Sequence, residues 1–349
     1  MDLPLTVVSR RTSERLISVD GAWDQPGLNL SHWPGNATPP ALRHDLSTGA
    51  ALAFARLDPA ERARLSEGCA AIANNHFDTD GACAMFAVAR PDLALPRAPR
   101  LLEAAAAGDF FQVPSERAFR LDAVVTNLAD PERSPWSSRW ERLDGAEKHA
   151  LLYRELVERL PSMLDGDLSD LADLWRPEEE DLRADRASLA AADQVEVVHL
   201  DLCMWEGPRG KAFDPGRHAV FGGTRADRVL LVGRPSAGST YRLLLSTLSW
   251  FDLCSRRPLP RPHLEALARS LNEAEGTDEG ASLAWRVTDE GGPSPELWFG
   301  TADVERFSER SGALHPSRLA PAQVRRAVGD ALRASWAFPE ESGPLGCCS

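Results

Sequence analysis

The segment from Cys69 to Arg90 constrains the fold more than any other part of the chain. A run of small apolar residues, Cys69 to Ala73, leads into the polar stretch Asn74-Asn75-His76-Phe77-Asp78-Thr79-Asp80-Gly81, and Gly81 to Arg90 is then apolar nearly all round until Pro91 stops it. A short apolar run of small residues reads as a buried strand, and a helix without a polar face must be covered on every side. The expected unit is therefore strand, turn and buried helix, with the acidic residues gathered on the turn.

Other stretches continue the alternation. Leu5 to Val8 and Arg15 to Val19 read as short strands, and Thr38-Pro39-Pro40 opens a helix Ala41 to Ala55 with Leu42, Leu46, Ala50 and Phe54 at helical spacing. A short helix carries Leu65, and Leu101 to Ala107 is an alanine-rich helix that Gly108 is suited to close. Phe119 to Asn127 and Val195 to Cys203 read as strands, separated by an amphipathic helix Ala146 to Leu160 and an acidic helical stretch Leu164 to Ala191. Further on come strands Arg228 to Val232, Tyr241 to Phe251, Leu283 to Val287 and Leu297 to Phe299, with helices His263 to Glu275 and Pro321 to Trp336. The expected fold class is α/β: a mainly parallel sheet flanked by helices over residues 1–205, and a smaller α+β domain over residues 206–349 that caps the substrate.

Composition narrows the partners. With 349 residues, 43% apolar and 26% charged, the chain has enough material for two cores. Its net charge of −13 is spread along the sequence and repels long phosphate backbones, which leaves small or short anions as the expected partners. Cys69, Cys83, Cys203, Cys254, Cys347 and Cys348 show neither zinc-knuckle nor CxxC spacing. No window reaches the roughly 18 to 20 apolar residues needed to span a bilayer, and Met1 to Arg11 has no signal-peptide core, so a cytoplasmic protein without a membrane partner is expected.

His76, Asp78 and Asp80 alternate, so an extended backbone running through them would put all three side chains on one face. Two carboxylates and an imidazole suit Mn²⁺, with Mg²⁺ or Zn²⁺ as alternatives. Gly81 lets the chain turn tightly into the next helix, whose first N–H groups can receive an anion. The plainer reading is that Asp78 or Asp80 caps that helix. Capping uses one carboxylate and leaves the other acid and the histidine unexplained.

Asn75 to Gly81 resembles the first motif, H-x-D-x-D-G after a strand, of the DHH phosphoesterase superfamily, which includes exonucleases, oligoribonucleases and manganese pyrophosphatases. The resemblance covers about eight of the 349 residues. It implies a DHH-phosphoesterase-like fold, a two-metal site in which His76, Asp78 and Asp80 bind manganese, hydrolysis of a phosphoester, and basic substrate contacts from a second domain. The Asp-His-His triplet that names the superfamily is absent. Asp109, Asp122 and Asp201 with His199 are its substitutes, of which Asp109 and Asp201, each expected at an element end, are the favoured further ligands. The whole chain also resembles an uncharacterised bacterial family that shares Ser31-His32-Trp33-Pro34-Gly35-Asn36 and His76 to Gly81.

Substrate contacts are expected from His32, Asn36 and Asn75, and from a loop Trp205 to Arg225 that carries Arg217, His218 and Arg225. In this reading Arg242 joins them as a phosphate clamp, since arginine matches phosphate oxygens in a bidentate way. The expected function is a Mn²⁺-dependent phosphoesterase acting on a small phosphorylated molecule or short nucleotide. Two alternatives use the same residues. A co-catalytic zinc peptidase or deacylase would bridge its metals with Asp109 and use Glu178-Glu179 as its acidic pair. A non-catalytic ligand-binding protein retaining the DHH-like fold would use Arg209, Lys211, Arg217, His218, Arg225 and Arg228 as its recognition surface.

Overall fold

The structure, a computed structural model, describes residues 3–302 and 314–336. Over the described residues it forms two compact units, one of Met1–Arg186, Arg217–Gly223 and Trp250–Pro258, the other of Ala187–Gly216, Thr224–Ser249 and Leu259–Ser349. A single division near residue 205 is thus replaced by a discontinuous one, because two later segments rejoin the first unit.

The first unit is built on four short strands, β1 (Leu5–Val7), β2 (Leu16–Val19), β3 (Gly27–Leu30) and β4 (Ile72–Asn74). Their order is β1-β4-β2-β3 and every neighbouring pair is parallel. All four residues of β2 and all three of β4 are buried, as parallel strands covered on both faces must be. The helices are α1 (Ser47–Arg56), α2 (Pro59–Leu65), α3 (Thr79–Ala89), α4 (Pro91–Ala94), α5 (Ala98–Phe110), α6 (Glu116–Leu128), α7 (Gly145–Asp165), α8 (Ala172–Ala190) and α9 (Arg217–Gly223). Every residue of α3 is buried, and α1, α5 and α7 pack around it. That is the all-round cover demanded by a helix with no polar face.

Three expectations are corrected in this unit. Residues 119–127 belong to helix α6 and not to a strand: Ser115 caps it, and Phe119, Asp122, Val125 and Leu128 recur on its buried face. The adjacent β-branched residues Val124, Val125 and Thr126 imitate a strand, but packing against α5 overrides that local preference. Helix α5 runs through Gly108 and closes at Phe111, whose φ is +52°. Gly108 serves close packing instead, since a Cβ there would lie 2.9 Å from Asp122 Oδ1 and 3.1 Å from Thr79 Cβ. The expected helix over 41–55 is a 3₁₀ turn, Pro40–Leu42, followed by α1 from Ser47.

The second unit carries β5 (Asp193–Val197), β6 (Leu202–Arg209), β7 (Arg228–Arg234), β8 (Thr240–Leu245), β9 (Ala284–Val287) and β10 (Glu296–Gly300), in the order β5-β6-β7-β8-β10-β9. Only β6 and β7 pair in parallel. Val195 to Cys203 is therefore two antiparallel strands, turning at Asp201 with φ +48°, and part of the expected loop 205–225 is strand β6. Helices α10 (Leu264–Glu275) and α11 (Pro321–Ser335) join the core with Leu267, Leu271, Val324 and Val328, alongside Leu230, Tyr241 and Leu297. The protein is thus α/β, with one parallel and one mixed sheet.

No described helix is long and apolar enough to cross a membrane. Cys69, Cys83, Cys203 and Cys254 are free thiols, while Cys347 and Cys348 lie outside the described residues.

The Ser115 cap offers a direct check of α6, because its Oγ accepts the Ala118 N–H at 3.2 Å. Ser115→Ala should lower stability in urea unfolding by about 1 kcal/mol, and Ser115→Thr should retain most of it. An unchanged midpoint for the alanine variant would count against the cap.

Candidate metal centre

Three neighbouring parallel strands, β4, β2 and β3, end side by side, and each delivers polar residues immediately after its last residue. Asp20 follows β2, His32 follows β3 by two residues, and the turn holding His76 and Asp78 follows β4. The carboxyl edge of a parallel sheet is where such folds gather reactive groups. Asp109, near the end of α5, and Asp80, in the first turn of α3, complete the set.

Two groups form there. Asp20, His32, Asp80 and Asp109 make one, and Asp20, His76 and Asp78 make the other, with the chosen ligand atoms of each group within 4.8 Å of one another. Asp20 is common to both. Its Oδ1 lies 3.7 Å from His32 Nε2 and its Oδ2 lies 3.2 Å from His76 Nε2, so each oxygen serves a different group.

The histidine tautomers follow from their second nitrogens. His32 Nδ1 lies 2.5 Å from the Asp45 carbonyl oxygen, to which it must donate. His32 Nε2 is fully buried and without a hydrogen bond, facing Asp109 Oδ2 at 2.9 Å and Asp80 Oδ2 at 3.7 Å. A parallel stack on Phe251, 3.8 Å between ring centres, fixes the ring plane. His76 repeats the pattern. The Asn75 amide donates to the Gly21 carbonyl at 2.7 Å, which turns Asn75 Oδ1 toward His76 Nδ1, also at 2.7 Å. His76 Nε2 is then aimed at Asp78 Oδ2, 2.7 Å away, and at Asp20. A metal-bound imidazole is oriented in this way, its other nitrogen donating to an oxygen.

The carboxylates are held as firmly. Helix α1 has no side-chain cap of its own, and Asp80 supplies one from α3, its two oxygens accepting the Ser47 and Thr48 N–H groups at 2.8 Å each. Asp78 caps α3 through Oδ1 on the Gly81 N–H at 2.8 Å, leaving Oδ2 for His76. Capping and ligation therefore coexist. Asp20 accepts Trp33 Nε1–H at 3.0 Å and Ser47 Oγ–H at 3.1 Å on Oδ1, and Asn74 Nδ2–H at 3.3 Å on Oδ2. Tyr153, a buried phenol, accepts from Asn74 and donates to the His76 carbonyl, tying β4 to the turn.

The electrostatics call for positive charge. Burial, reinforced by Asp78, lifts Asp20 to a pKa of about 6. Burial together with Asp80 and Asp78 pushes Asp109 well above the ordinary carboxyl range. Burial disfavours charged His76, but Asp78 and Asp20 outweigh it and lift the imidazole to about 10. Burial also opposes ionisation of Asp78, yet His76 and the Gly81 N–H bring it below its ordinary value. Ligands placed about 2.1 Å from one ion stand roughly 3 to 3.6 Å apart, close to the separations in both groups. These residues can hold metal ions.

Residues 5–343 match DUF6687, a family of unknown function. The chain belongs to DUF6687. A comparison with curated proteins finds no match.

Within this DUF6687 chain the expected ligands are rearranged. His76, Asp78 and Asp80 do not meet at one point: the strand ends at Asn74, Asp78 is already the helix cap, and the first turn of α3 carries Asp80 toward His32. Asp109 belongs to that group. Asp201 does not; it lies in the second unit, where its Oδ2 accepts the Asp227 N–H at 2.7 Å. His32 moves from substrate contact to candidate ligand, and Asn75 positions His76. Asn36 is held within its loop, its amide donating to the Trp33 carbonyl at 2.8 Å. Arg217 is buried with its guanidinium 5.5 Å above the Phe111 ring, and His218 Nε2 lies 3.0 Å from the Ala107 carbonyl and 3.3 Å from Asp122. Arg225 is exposed in the second unit. Arg242 is no phosphate clamp, since it is fully buried between Glu296 and Asp214. Asp20 escaped sequence reasoning, although the pair Asp20-Gly21 after one strand repeats Asp80-Gly81 after another.

Gly21 is needed at its position, because a Cβ there would lie 2.3 Å from Asn75 Oδ1 and 2.7 Å from His76 Nδ1. Gly21→Ala should displace His76 and weaken metal binding at least about 10-fold while far-UV circular dichroism stays near wild type. Undiminished binding by titration calorimetry would show that His76 is not held as described.

Proposed function

We propose that this protein is a metal-dependent hydrolase with two adjacent divalent cations, Mn²⁺ in the first instance, which would be held by the two groups of residues that share Asp20, and that it acts on a small or short phosphorylated substrate. The observation that carries the reading is the buried Nε2 of His32, which makes no hydrogen bond and has carboxylates on its open side. Charge balance supports two ions: four carboxylates and two neutral imidazoles are matched by two dications. A donor set of oxygen and imidazole without thiolate suits Mn²⁺ or Mg²⁺, and also admits Zn²⁺.

Such a pair of ions would acidify a water and neutralise the oxygens of a phosphoryl group. The chain's own contribution is orientation. Asp20 spaces the two positions, Asp80 and Asp109 hold the buried one against α1 and α5, and Asp78 with His76 forms the rim nearer solvent. The DHH-like fold remains part of this proposal, with H-x-D-x-D-G as its support. The net charge of −13 favours a short substrate over a long nucleic acid. The peptidase alternative loses its acidic pair, since Glu178 is paired with Arg133, and Glu179 with Arg120 and Arg183.

The protein loaded with Mn²⁺ should hydrolyse one or more of bis(p-nitrophenyl) phosphate, pyrophosphate and a short oligonucleotide, and should lose that activity to a chelator. Asp20→Asn should abolish metal uptake and reduce turnover by more than the roughly 10- to 100-fold that loss of an outer partner costs. Metal-loaded protein inert toward all three substrates would overturn the phosphoesterase reading. Because protons on Asp20, Asp109 and His76 must leave as ions enter, Mn²⁺ affinity should rise with pH across about 5 to 8. Calorimetry in buffers of different ionisation enthalpy reads the released protons.

A further inference from the structure

We infer that the two cation positions are unequal: the ion bounded by His32, Asp80 and Asp109 is retained permanently, whereas the ion bounded by His76 and Asp78 is exchangeable and receives the anionic group of the substrate. This rests on the dinuclear reading above and adds which position governs activity.

Burial separates the two. The side chains of Asp20, His32 and Asp80 are at most 1% exposed and that of Asp109 is 8% exposed, whereas His76 and Asp78 are 35% and 31% exposed. An ion enclosed by the first set has little access to water, and water is what carries a departing cation away. Ligand number points the same way, with four protein groups around the inner position and three around the outer. A site closed by protein ligands is characteristic of a structural ion, and one with open positions is characteristic of a catalytic ion.

Preorganisation adds to the difference. Asp80 is clamped by two backbone N–H groups and His32 by the Asp45 carbonyl and the Phe251 ring, so these ligands are already in place before an ion arrives. The outer group is tied by fewer contacts: the exposed Asn75 side chain orients His76, and a single backbone N–H, that of Gly81, holds Asp78 on the turn between β4 and α3. Trp33, half-buried, flanks that outer side with its ring 5.7 Å from the His76 ring, leaving the solvent-facing approach through His76 and Asp78. Activity should accordingly follow the concentration of free cation through the outer position alone.

The test is metal stoichiometry on the full chain. Protein saturated with Mn²⁺ and dialysed against metal-free buffer without chelator should keep roughly one ion per chain and take up a second on titration, with hydrolysis returning as the second binds. His76→Gln and Asp78→Asn should keep the retained ion, with the thermal midpoint of the dialysed wild type, and bind no second. His32→Gln and Asp109→Asn should lose the retained ion and that part of the thermal midpoint. If either inner variant fails to fold by circular dichroism, the dialysed wild type and His76→Gln decide the matter by themselves. Loss of both ions together from wild type, or loss of the retained ion from His76→Gln, would overturn the inequality. Wild-type protein that binds no Mn²⁺ at any stage would instead overturn the dinuclear reading on which it rests.

Discussion

The carboxylate of Asp20 is the constraint around which the first unit is organised. It is fully buried, sits on a backbone with φ +51°, and offers one oxygen to each histidine. A left-handed conformation costs a residue with a side chain roughly 1 to 2 kcal/mol, and glycine would remove that cost. Glycine would also remove a carboxylate that faces both His32 and His76. The strain is tolerated because neighbours over-determine the position: Trp33, Ser47 and Asn74 all donate to this carboxylate, and Gly21 beside it admits the Asn75 and His76 side chains.

The scaffold and the site share their hydrogen bonds. Asp80 closes the N-terminus of α1 and faces His32; Asp78 closes the N-terminus of α3 and faces His76. Carboxylates at helix N-termini are favoured by the helix dipole and by unfilled N–H groups, so negative charge can be concentrated in a buried place without unfolding it. The same arrangement makes the turn after β4 intolerant of bulk, since a Cβ at Gly81 would lie 2.3 Å from Asn74 Nδ2 and 2.6 Å from the Tyr153 hydroxyl. The geometry of the candidate metal centre and helix initiation are therefore one set of contacts in this protein.

Much of the local structure was legible in advance. The buried strand, polar turn and buried helix around residues 69–90 follow from patterning alone, as do β1, β2 and the helices of the second unit. The misreadings have a common origin. Phe119 to Asn127 has the β-branched composition of a strand but packs as α6, and β3, only four residues long with polar Asn29 in it, was not foreseen. In both cases long-range packing outweighed a weak local preference.

The sequence by itself determined that acidic and imidazole groups would crowd one strand-to-helix turn, because neighbours in the chain stay neighbours in space whatever the fold. Which of them share a cation position was decided only by tertiary structure. The parallel order β4-β2-β3 brings Asp20 and His32, some 40 to 60 residues before the turn, against it, and the onset of α3 swings Asp80 away from Asp78. No spacing rule contains that information, since strand order arises from burial of whole faces and not from any one residue's chemistry.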